Sequence, residues 1–385
     1  MRDRNVAFAG VFAATLLGLL SVGAVLPVLP RYVTGPLDSG DVAVGVVIGS
    51  YAITGLLLRP IAGRFADTRG RRPTVVAGSL LAAVSGLIYF IPAGIPGLIA
   101  ARLFLGAGEG MVFTAGSAWI VDLAPPERRG RVIGLYGLAV WGGLSIGPLI
   151  GELLLHAFSY EAVWVFAALA PFTGALIALR TRDPFTPRER TERVPLIARE
   201  SLRPGTALAL GSVGYAAVAG FVVLHLDARG VGHGAAVFVA FAATVVVTRL
   251  VGGNLPDRLG PARCALGAAC VETAGLVAIA LAQSLPVALL GAVAMGAAFS
   301  LLYPALSLAV VSRVPEDRRG SALGTLTAFF DAGVGLGAPL AGAAAALWGY
   351  SGSFVLGAVA AVMAALVVAY TLLPGRAGRP EGSAA

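Results

Sequence analysis

The sequence predicts an all-α membrane protein in which twelve transmembrane helices form two six-helix bundles. The composition, the recurrence of long apolar segments and an internal duplication each support this fold class. Of the 385 residues, 57% are hydrophobic and only 12% are charged, and the mean hydropathy is +0.86. Soluble domains carry charges at roughly a quarter of their positions, so this composition excludes most soluble enzymes and nucleic-acid-binding proteins. We expect the chain to reside in a lipid bilayer.

Apolar segments long enough to cross a bilayer recur along the whole chain. They occupy residues 6–33, 42–66, 73–93, 97–122, 131–157, 160–180, 205–226, 235–255, 262–282, 286–311, 321–347 and 352–373. The first segment has some character of a signal peptide, but it is too long and many further segments follow it. We therefore interpret it as the first transmembrane helix.

The longest polar stretch separates the sixth and seventh segments. It mixes arginine and acidic residues with four prolines, which favours a solvated connector, although short amphipathic helices on the inner leaflet are an alternative. The predicted organisation is an N-terminal bundle over 1–180, a cytoplasmic linker over 181–204, and a C-terminal bundle with a short cytoplasmic tail over 205–385.

The arginines predict the orientation of the chain. All 28 basic residues are arginine, and the net charge is +8. If the N-terminus is cytoplasmic, Arg31 and Arg229 lie outside, and Arg59, Arg102 and Arg249 lie within spans. All the other arginines lie in loops and tails on the inside. By the positive-inside rule, both termini face the cytoplasm, and we expect a multi-pass protein of the inner (plasma) membrane. The basic excess thus reports topology, and we expect no nucleic-acid partner.

Several residues recur in the second half of the chain at a constant offset of 190 positions. They include Arg59 and Arg249, Gly63 and Gly253, Asp67 and Asp257, and Gly70 and Gly260. Glycine matches are weak in a chain with 52 glycines, whereas matches of arginine and aspartate are informative. The duplication predicts two related bundles with a substrate site between them, near the middle of the bilayer.

The loop after the second segment reads Gly-Arg-Phe-Ala-Asp-Thr-Arg-Gly-Arg-Arg over residues 63–72. It resembles the signature loop of the major facilitator superfamily, with Thr68 departing at one basic position, and residues 253–260 hold a weaker echo. The resemblance covers the whole chain and implies the major facilitator fold and a transporter rather than an enzyme. It implies gating roles for Gly63, Asp67, Gly70, Arg71, Asp257 and Arg258. The simpler alternative is that Asp67 and Arg71 only order the loop through ion pairs.

Two helical patterns are similar to motifs of proton-coupled members of that superfamily. Arg102, followed by Gly106 in the fourth segment, resembles a motif that implies a part for Arg102 in proton coupling. The fifth segment resembles the antiporter motif of twelve-span drug:proton antiporters at Gly143, Gly147, Pro148 and Gly151. Glycines four residues apart also let helices approach closely, so packing is the alternative interpretation.

Four carboxylates lie well inside predicted spans, away from the span ends, where each charge needs a partner or a function. Glu109 and Asp331 fall near mid-depth, and we expect them to bind and release protons together with Arg102. The alternatives are an ion pair of Glu109 with Arg102 and a polar contact of Asp331 with a neighbouring helix. We expect Glu152 to lie in an outer vestibule and Glu272 to be a packing or interface residue.

The remaining expectations concern cations, aromatic residues and cysteines. Arg59 and Arg249 stand near the inner surface, where they could extend to water or pair with Asp67 and Asp257, respectively. We expect the substrate cavity to be lined by Tyr136, Trp141, Tyr303 and Phe330. The two cysteines, Cys264 and Cys270, lie on different faces of one predicted helix and cannot form a disulfide. No metal site or cofactor is expected.

These observations predict a monomeric, proton-coupled secondary transporter that exports a hydrophobic or amphiphilic small molecule by alternating access. The alternatives are a transporter of a hydrophilic metabolite such as a sugar and, in a different class, a membrane sensor that transports nothing. The sequence has no Gly-x-x-x-x-Gly-Lys-Ser/Thr loop to hold a nucleotide phosphate, which argues against ATP-driven transport by this chain.

Overall fold

The computed structural model describes residues 2–123, 129–183, 198–315 and 318–373. In these ranges the chain forms fourteen α-helices and no strand. The helices are α1 (Arg2–Val25), α2 (Val28–Thr34), α3 (Asp41–Arg69), α4 (Arg71–Ile88), α5 (Gly94–Leu123), α6 (Arg129–Ala157), α7 (Tyr160–Arg180), α8 (Leu202–Ala228), α9 (Gly234–Gly252), α10 (Leu255–Leu259), α11 (Pro261–Leu281), α12 (Leu285–Val311), α13 (Arg319–Trp348) and α14 (Tyr350–Thr371).

Eleven helical segments of the described chain are long and apolar enough to cross a membrane. One of them, Asn5–Thr34, runs from α1 through α2, and the helix is interrupted between the two at Leu26 and Pro27. The predicted third span corresponds to α4, which is not among the eleven because its 18 residues begin with two arginines. It nevertheless packs along α5 and α7. The structure confirms the predicted all-α membrane fold.

The helices of the two halves pack in the same pattern. In the first half, α1 packs on α6 and α7, α4 packs on α5 and α7, and α3 packs on α5. In the second half, the corresponding helices repeat these contacts: α8 packs on α13 and α14, α11 on α12 and α14, and α9 on α12. The halves meet through two further equivalent contacts, α3 with α13 and α6 with α9.

One pair of glycines illustrates this repetition at the level of atoms. Gly106 on α5 lies directly against the backbone carbonyl of Tyr51 on α3, leaving no room for a Cβ. Gly296 on α12 lies in the same way against the carbonyl of Phe241 on α9. Both residues of the second contact are 190 positions after those of the first. The sequence duplication therefore corresponds to equivalent helix packing.

The expected linker, 181–204, falls mostly on residues 184–197, which lie outside the described residues. At its far end a 3-10 turn, Arg199–Ser201, leads into α8, so the last residues of the expected linker are already helical. The division of the chain into 1–180 and 205–385 stays a prediction.

The two ends of the helical bundle differ in charge. One end, called here the arginine-rich end, holds Arg69 at the end of α3 and Arg180 at the end of α7. The opposite, arginine-poor end holds Arg31 at the end of α2 and Arg229 after α8. This distribution follows the pattern that the sequence predicts for the inner and outer sides of the membrane.

The halves are packed tightly towards the arginine-poor end. Near the start of α3, Gly45 lies against the backbone carbonyl of Ala338 on α13. One turn further, a Cβ on Gly49 would be 2.7 Å from the carbonyl oxygen of Gly335. Small residues thus bring the α3 and α13 backbones into contact, as in other close helix pairs in membranes.

Candidate functional site

A buried ion pair joins the two halves near the middle of the helices. Arg59 Nε on α3 lies 2.7 Å from Asp331 Oδ2 on α13, and Arg59 Nη2 donates to Oδ1 at 3.1 Å. The Asp331 side chain is only 2% exposed. A buried pair is stable only when its geometry compensates for lost hydration, and two parallel hydrogen bonds provide such geometry. The pair therefore couples α3 to α13.

Arg59 does not pair with Asp67, which was one of the two alternatives expected for it. Asp67 lies two turns further along α3 and instead accepts a hydrogen bond from Arg71 at 2.6 Å. At its own level of the helix, Arg59 meets Asp331 from the other half, and its guanidinium also lies 5.4 Å from the centre of the Phe113 ring. The alternative that Asp331 makes a polar contact with a neighbouring helix describes its surroundings correctly.

Glu109 is bound by a tyrosine. The Tyr51 hydroxyl donates to Glu109 Oε2 at 3.1 Å, and Glu109 is 8% exposed. Arg102 instead donates to the backbone oxygen of Ile48 at 3.2 Å and lies over the Tyr51 ring at 5.0 Å. The alternative of a direct Arg102–Glu109 ion pair is therefore wrong, because Arg102 is directed towards α3. Tyr51 connects the two charges through its ring and its hydroxyl.

Five aromatic side chains gather beside this polar network and form what we call the aromatic cluster. Its members are Trp141 on α6, Tyr215 on α8, Phe241 on α9, Phe299 on α12 and Phe330 on α13. Phe299 is central, with ring centroids 5.4 Å from Trp141, 5.5 Å from Tyr215 and 5.9 Å from Phe330. These separations are typical of favourable aromatic packing. Trp141 is the member that the first half contributes.

The structure brings together two of the four aromatic residues expected in the cavity. Trp141 and Phe330 belong to the aromatic cluster, whereas Tyr136 is 4% exposed inside the first half and is hydrogen bonded with Thr15 at 3.0 Å. Tyr303 is hydrogen bonded with Thr327 at 2.9 Å, within the second half. The other three members of the cluster, Tyr215, Phe241 and Phe299, were not expected from the sequence.

The internal duplication relates the two groups of site residues. Positions that are 190 residues apart pair Tyr51 with Phe241, Glu109 with Phe299, and Trp141 with Asp331. At the level of the site, α3 and α13 meet through the Arg59–Asp331 ion pair, whereas α9 and α6 meet through the rings of Phe241 and Trp141. Applied to Tyr51 and Glu109, the same offset would have identified Phe241 and Phe299 from the sequence. The two walls of the site are thus equivalent in fold and different in chemistry.

The predicted gating loop is ordered by Arg71. This side chain pairs with Asp67 at 2.6 Å and with Asp122 on α5 at 3.1 Å, so its described ion pairs lie within the first half. Gly70 links α3 to α4 at a φ of 108°, in the left-handed region that favours glycine. Gly63 lies one turn before Asp67 on α3.

The corresponding loop of the second half is arranged differently. Asp257 and Arg258 lie on the short helix α10, and Gly260 follows at a φ of 84°. Arg249, for which pairing with Asp257 was one alternative, instead donates to the backbone oxygen of Ser300 at 3.4 Å. That pairing is wrong, because α9 presents Arg249 to α12.

The residues that resemble the antiporter motif lie in the contact between α6 and α1. Gly147 approaches α1 so closely that a Cβ would be 2.7 Å from the Leu20 carbonyl oxygen, and Gly151 lies against the carbonyl of Ala24. Gly143 lies against Leu19, and Pro148 contacts Gly23, in the same interface. This placement supports the packing interpretation, since the motif faces α1 rather than the aromatic cluster.

A second inter-half ion cluster lies at the arginine-poor end, and we call it the Arg31 bridge. Arg31 Nη1 donates to Glu152 Oε1 at 2.7 Å, and Arg31 Nε lies 2.8 Å from Asp227 Oδ2 on α8. His156 lies 3.2 Å from the same Glu152 oxygen. Arg31 and Glu152 belong to the first half and Asp227 to the second. The Arg31 bridge therefore connects the halves over the tight packing of α3 on α13.

Glu272, Cys264 and Cys270 all lie on α11, outside the site. Glu272 on α11 is fully buried, and neither of its carboxylate oxygens has a hydrogen-bond partner among the described residues. It lies against Gly211 and Gly214 of α8. Cys264 and Cys270 are both free thiols. Glu272 thus occupies the packing position that was expected for it.

A helical membrane protein with two equivalent halves and a charged, aromatic site between them has the architecture of a secondary transporter. The sequence model of the Major Facilitator Superfamily matches residues 11–271 and 205–385. The chain belongs to that superfamily. It is 34% identical over 370 residues to an uncharacterized MFS-type transporter of Salmonella typhimurium, covering 93% of this chain and 94% of that one. Its relatives are transporters and not enzymes.

Solved structures share the fold at low sequence identity. The nucleoside transporter NupG superimposes with a TM-score of 0.79 at 12% identity, covering 95% of this chain and 100% of that chain. The human organic anion transporter MFSD10 has a TM-score of 0.72 at 18% identity, with coverage of 95% and 99%. At these identities the likeness concerns the fold, and this chain is a multi-pass membrane transporter.

Proposed function

We propose that this chain is a proton-coupled secondary transporter that exports a hydrophobic or amphiphilic small molecule by alternating access. The observation that carries the proposal is the adjacency of the two groups in the site. Phe330 of the aromatic cluster and Asp331 of the inter-half ion pair are consecutive residues of α13. A substrate that contacts the aromatic cluster and a proton that binds Asp331 would therefore act on the same helix.

Asp331 and Glu109 are the proposed proton carriers, with Arg102 and Arg59 setting their surroundings. When Asp331 binds a proton, the carboxylate loses its negative charge, and its ion pair with Arg59 weakens. Because that pair joins α3 to α13, the inter-half contact then has two states that differ in charge. A proton or a substrate shifts the balance between two conformations only when it binds one of them more tightly than the other. A contact that exists in two charge states allows such a difference in affinity.

We assign the arginine-rich end and both termini to the cytoplasm. The Arg31 bridge and the tight α3–α13 packing then close the outer side, and the site is placed to take substrate from the cytoplasm. Gly63, Asp67, Gly70 and Arg71, with Asp257 and Arg258, would rearrange when the inner side closes. The transporter would work as a monomer in the inner membrane.

The aromatic cluster supports the choice of substrate. Its rings present apolar faces, and burial of such surface stabilises a bound apolar molecule by about 25 cal/mol per Å². Tyr215 adds a hydroxyl, so the aromatic cluster can also form a hydrogen bond with an amphiphilic molecule that has one polar group. The charged wall formed by α3 and α13 favours the second candidate, a hydrophilic metabolite such as a sugar.

The experiment that separates these candidates uses the purified full chain in proteoliposomes with an imposed pH gradient. The panel comprises lipophilic cations, neutral drugs and sugars, and an internal dye reports pH. We expect proton movement on addition of a lipophilic compound and none on addition of a sugar. Proton movement with sugars alone would support the second candidate, and silence across the panel would contradict proton-coupled transport of these compounds.

A further inference from the structure

A groove with a volume of about 600 Å³ lies between the start of α4 and the end of α7, outside the substrate site. Polar and apolar side chains line it, among them Arg69, Arg72, Val76, Leu80, Leu179 and Asp183. It is situated at the arginine-rich end, where α3 ends and α4 begins. This is the level at which transmembrane helices meet the lipid headgroups.

The polar rim of the groove is positively charged. Arg69 and Arg72 are exposed, and among the described residues neither guanidinium forms an ion pair with a carboxylate. The acidic group of the rim, Asp183, accepts a hydrogen bond at 2.8 Å from the backbone nitrogen of Arg72, at the start of α4. Arg71, between the two rim arginines, points away towards its ion pairs in the gating loop.

The apolar floor of the groove continues into the lipid-facing surface. Leu80 is 40% exposed, and Val84 and Leu87 follow it on the same face of α4. Leu176 and Leu179 form the neighbouring exposed stripe on α7. Exposed side chains of this kind on two packed membrane helices contact acyl chains. The groove thus has a positively charged rim next to an apolar surface that acyl chains can contact.

The internal duplication shows that the fold does not require these arginines. The positions 190 residues after Arg69 and Arg72 are Leu259 and Ala262. The second half makes the equivalent turn from α10 to α11 with apolar side chains there. The guanidinium pair is therefore a feature of the first half, with a role other than forming the turn.

We propose that this groove binds one anionic phospholipid. The headgroup phosphate lies between Arg69 and Arg72, whose planar guanidinium groups match phosphate oxygens, and an acyl chain lies along Leu80 and Leu179. Basic pockets between transmembrane helices on the cytoplasmic side suit anionic headgroups, and each arginine near an anionic surface strengthens binding. The site is independent of the transported substrate.

The test measures thermal unfolding of the full chain in detergent during titration with phosphatidylglycerol, phosphatidylcholine of the same acyl chains, or inorganic phosphate. We expect phosphatidylglycerol alone to raise the melting temperature. In the double variant Arg69→Gln/Arg72→Gln, the half-maximal lipid concentration should rise roughly 30-fold. Arg64→Gln is the matched control, because Arg64 is exposed on α3 but does not line the groove, and it should behave as the wild type.

The single variants Arg69→Gln and Arg72→Gln keep the proposal testable if the double variant does not fold. Each should raise the half-maximal lipid concentration roughly fivefold. A photoactivatable phosphatidylglycerol should also label peptides of α4 and α7. The proposal is overturned if phosphatidylcholine or inorganic phosphate stabilises the chain as well as phosphatidylglycerol does. It is equally overturned if Arg64→Gln weakens the effect as much as the double variant.

Discussion

Asp331 and Arg59 carry opposite charges near the middle of the bundle, and each charge compensates for the burial of the other. Removing one partner of a buried pair leaves an uncompensated charge, which costs about 3–5 kcal/mol when burial is complete. Arg59 is 20% exposed, so we expect a smaller loss of stability, about 1–3 kcal/mol, in Asp331→Asn. Thermal unfolding in detergent measures this loss.

The matched control is the double variant Arg59→Gln/Asp331→Asn, which removes both charges. It should regain part of the lost stability but should not regain proton-driven transport, because no titratable group is restored at Asp331. Equal stability of Asp331→Asn and the wild type would mean that the ion pair contributes nothing to the joining of the halves.

Glu109→Gln separates the hydrogen bond of this residue from its proton chemistry. The amide oxygen of glutamine can still accept from the Tyr51 hydroxyl, so the variant should fold with nearly unchanged stability. Proton-driven uptake into inverted vesicles should be abolished. The control is Glu272→Gln, a buried carboxylate outside the site, which should transport normally. Full transport by Glu109→Gln would remove this residue from the mechanism.

The charged residues of the site could be predicted from the sequence, whereas their interaction partners could not. Glu109 and Asp331 stand out because a carboxylate inside an apolar segment is costly and rare. Their partners depend on the rotation and depth of helices from both halves, which the spacing of residues along one helix does not contain. The sequence therefore offered Arg59 only water or Asp67 on its own helix, although Asp331, 272 positions away in the sequence, binds it.

Among the helices, α2, α6 and α8 carry the Arg31 bridge, and its removal should favour opening at the arginine-poor end. A cysteine at Ala338, which is fully buried beside Gly45, reports this opening when Cys264 and Cys270 have been replaced by serine. We expect Arg31→Gln to increase the rate of maleimide labelling of that cysteine several-fold, because the ion pair of Arg31 with Asp227 of the other half is lost.

Arg229→Gln is the control for the Arg31 bridge. Arg229 also lies at the arginine-poor end, but its hydrogen bonds go to Ala282 and Ser351 within the second half. It should leave the labelling rate unchanged. Equal labelling of Arg31→Gln and the parent protein would show that the bridge does not hold this end closed.

The contact between α3 and α5 depends on Gly106. Any side chain there meets the backbone of Tyr51, which cannot move aside as a flexible side chain can. Overpacking of this kind costs about 1–3 kcal/mol, so Gly106→Ala should lower the melting temperature. Gly18→Ala, with no atom within 4 Å of its added Cβ, should not. Equal melting temperatures for the two variants would contradict the close contact.

Element boundaries were predictable where hydropathy alone determines them. The segments 160–180 and 352–373 correspond closely to α7 and α14. The break between α1 and α2 was missed, because an apolar sequence continues through it. The third helix was predicted over 73–93, whereas α4 runs over Arg71–Ile88 and so takes in two arginines at its start.

In the whole molecule, two equivalent halves form walls of different chemistry around one site. The duplication was readable from the sequence, and it also relates the polar and aromatic walls to each other. What the sequence could not provide is which helices of opposite halves meet, since that depends on packing between segments far apart in the chain. The α3–α13 contact, with its ion pair and its adjoining Phe330, is where proton and substrate would act together.

The most direct test of this account is substrate-dependent proton flux in proteoliposomes, compared between the wild type and Asp331→Asn. Both proteins are reconstituted at equal density, and a lipophilic compound that the wild type transports is added under an imposed pH gradient. If Asp331 carries the coupled proton, we expect proton movement in the wild type and a loss of at least about tenfold in Asp331→Asn. Proton flux in Asp331→Asn equal to that of the wild type would contradict it.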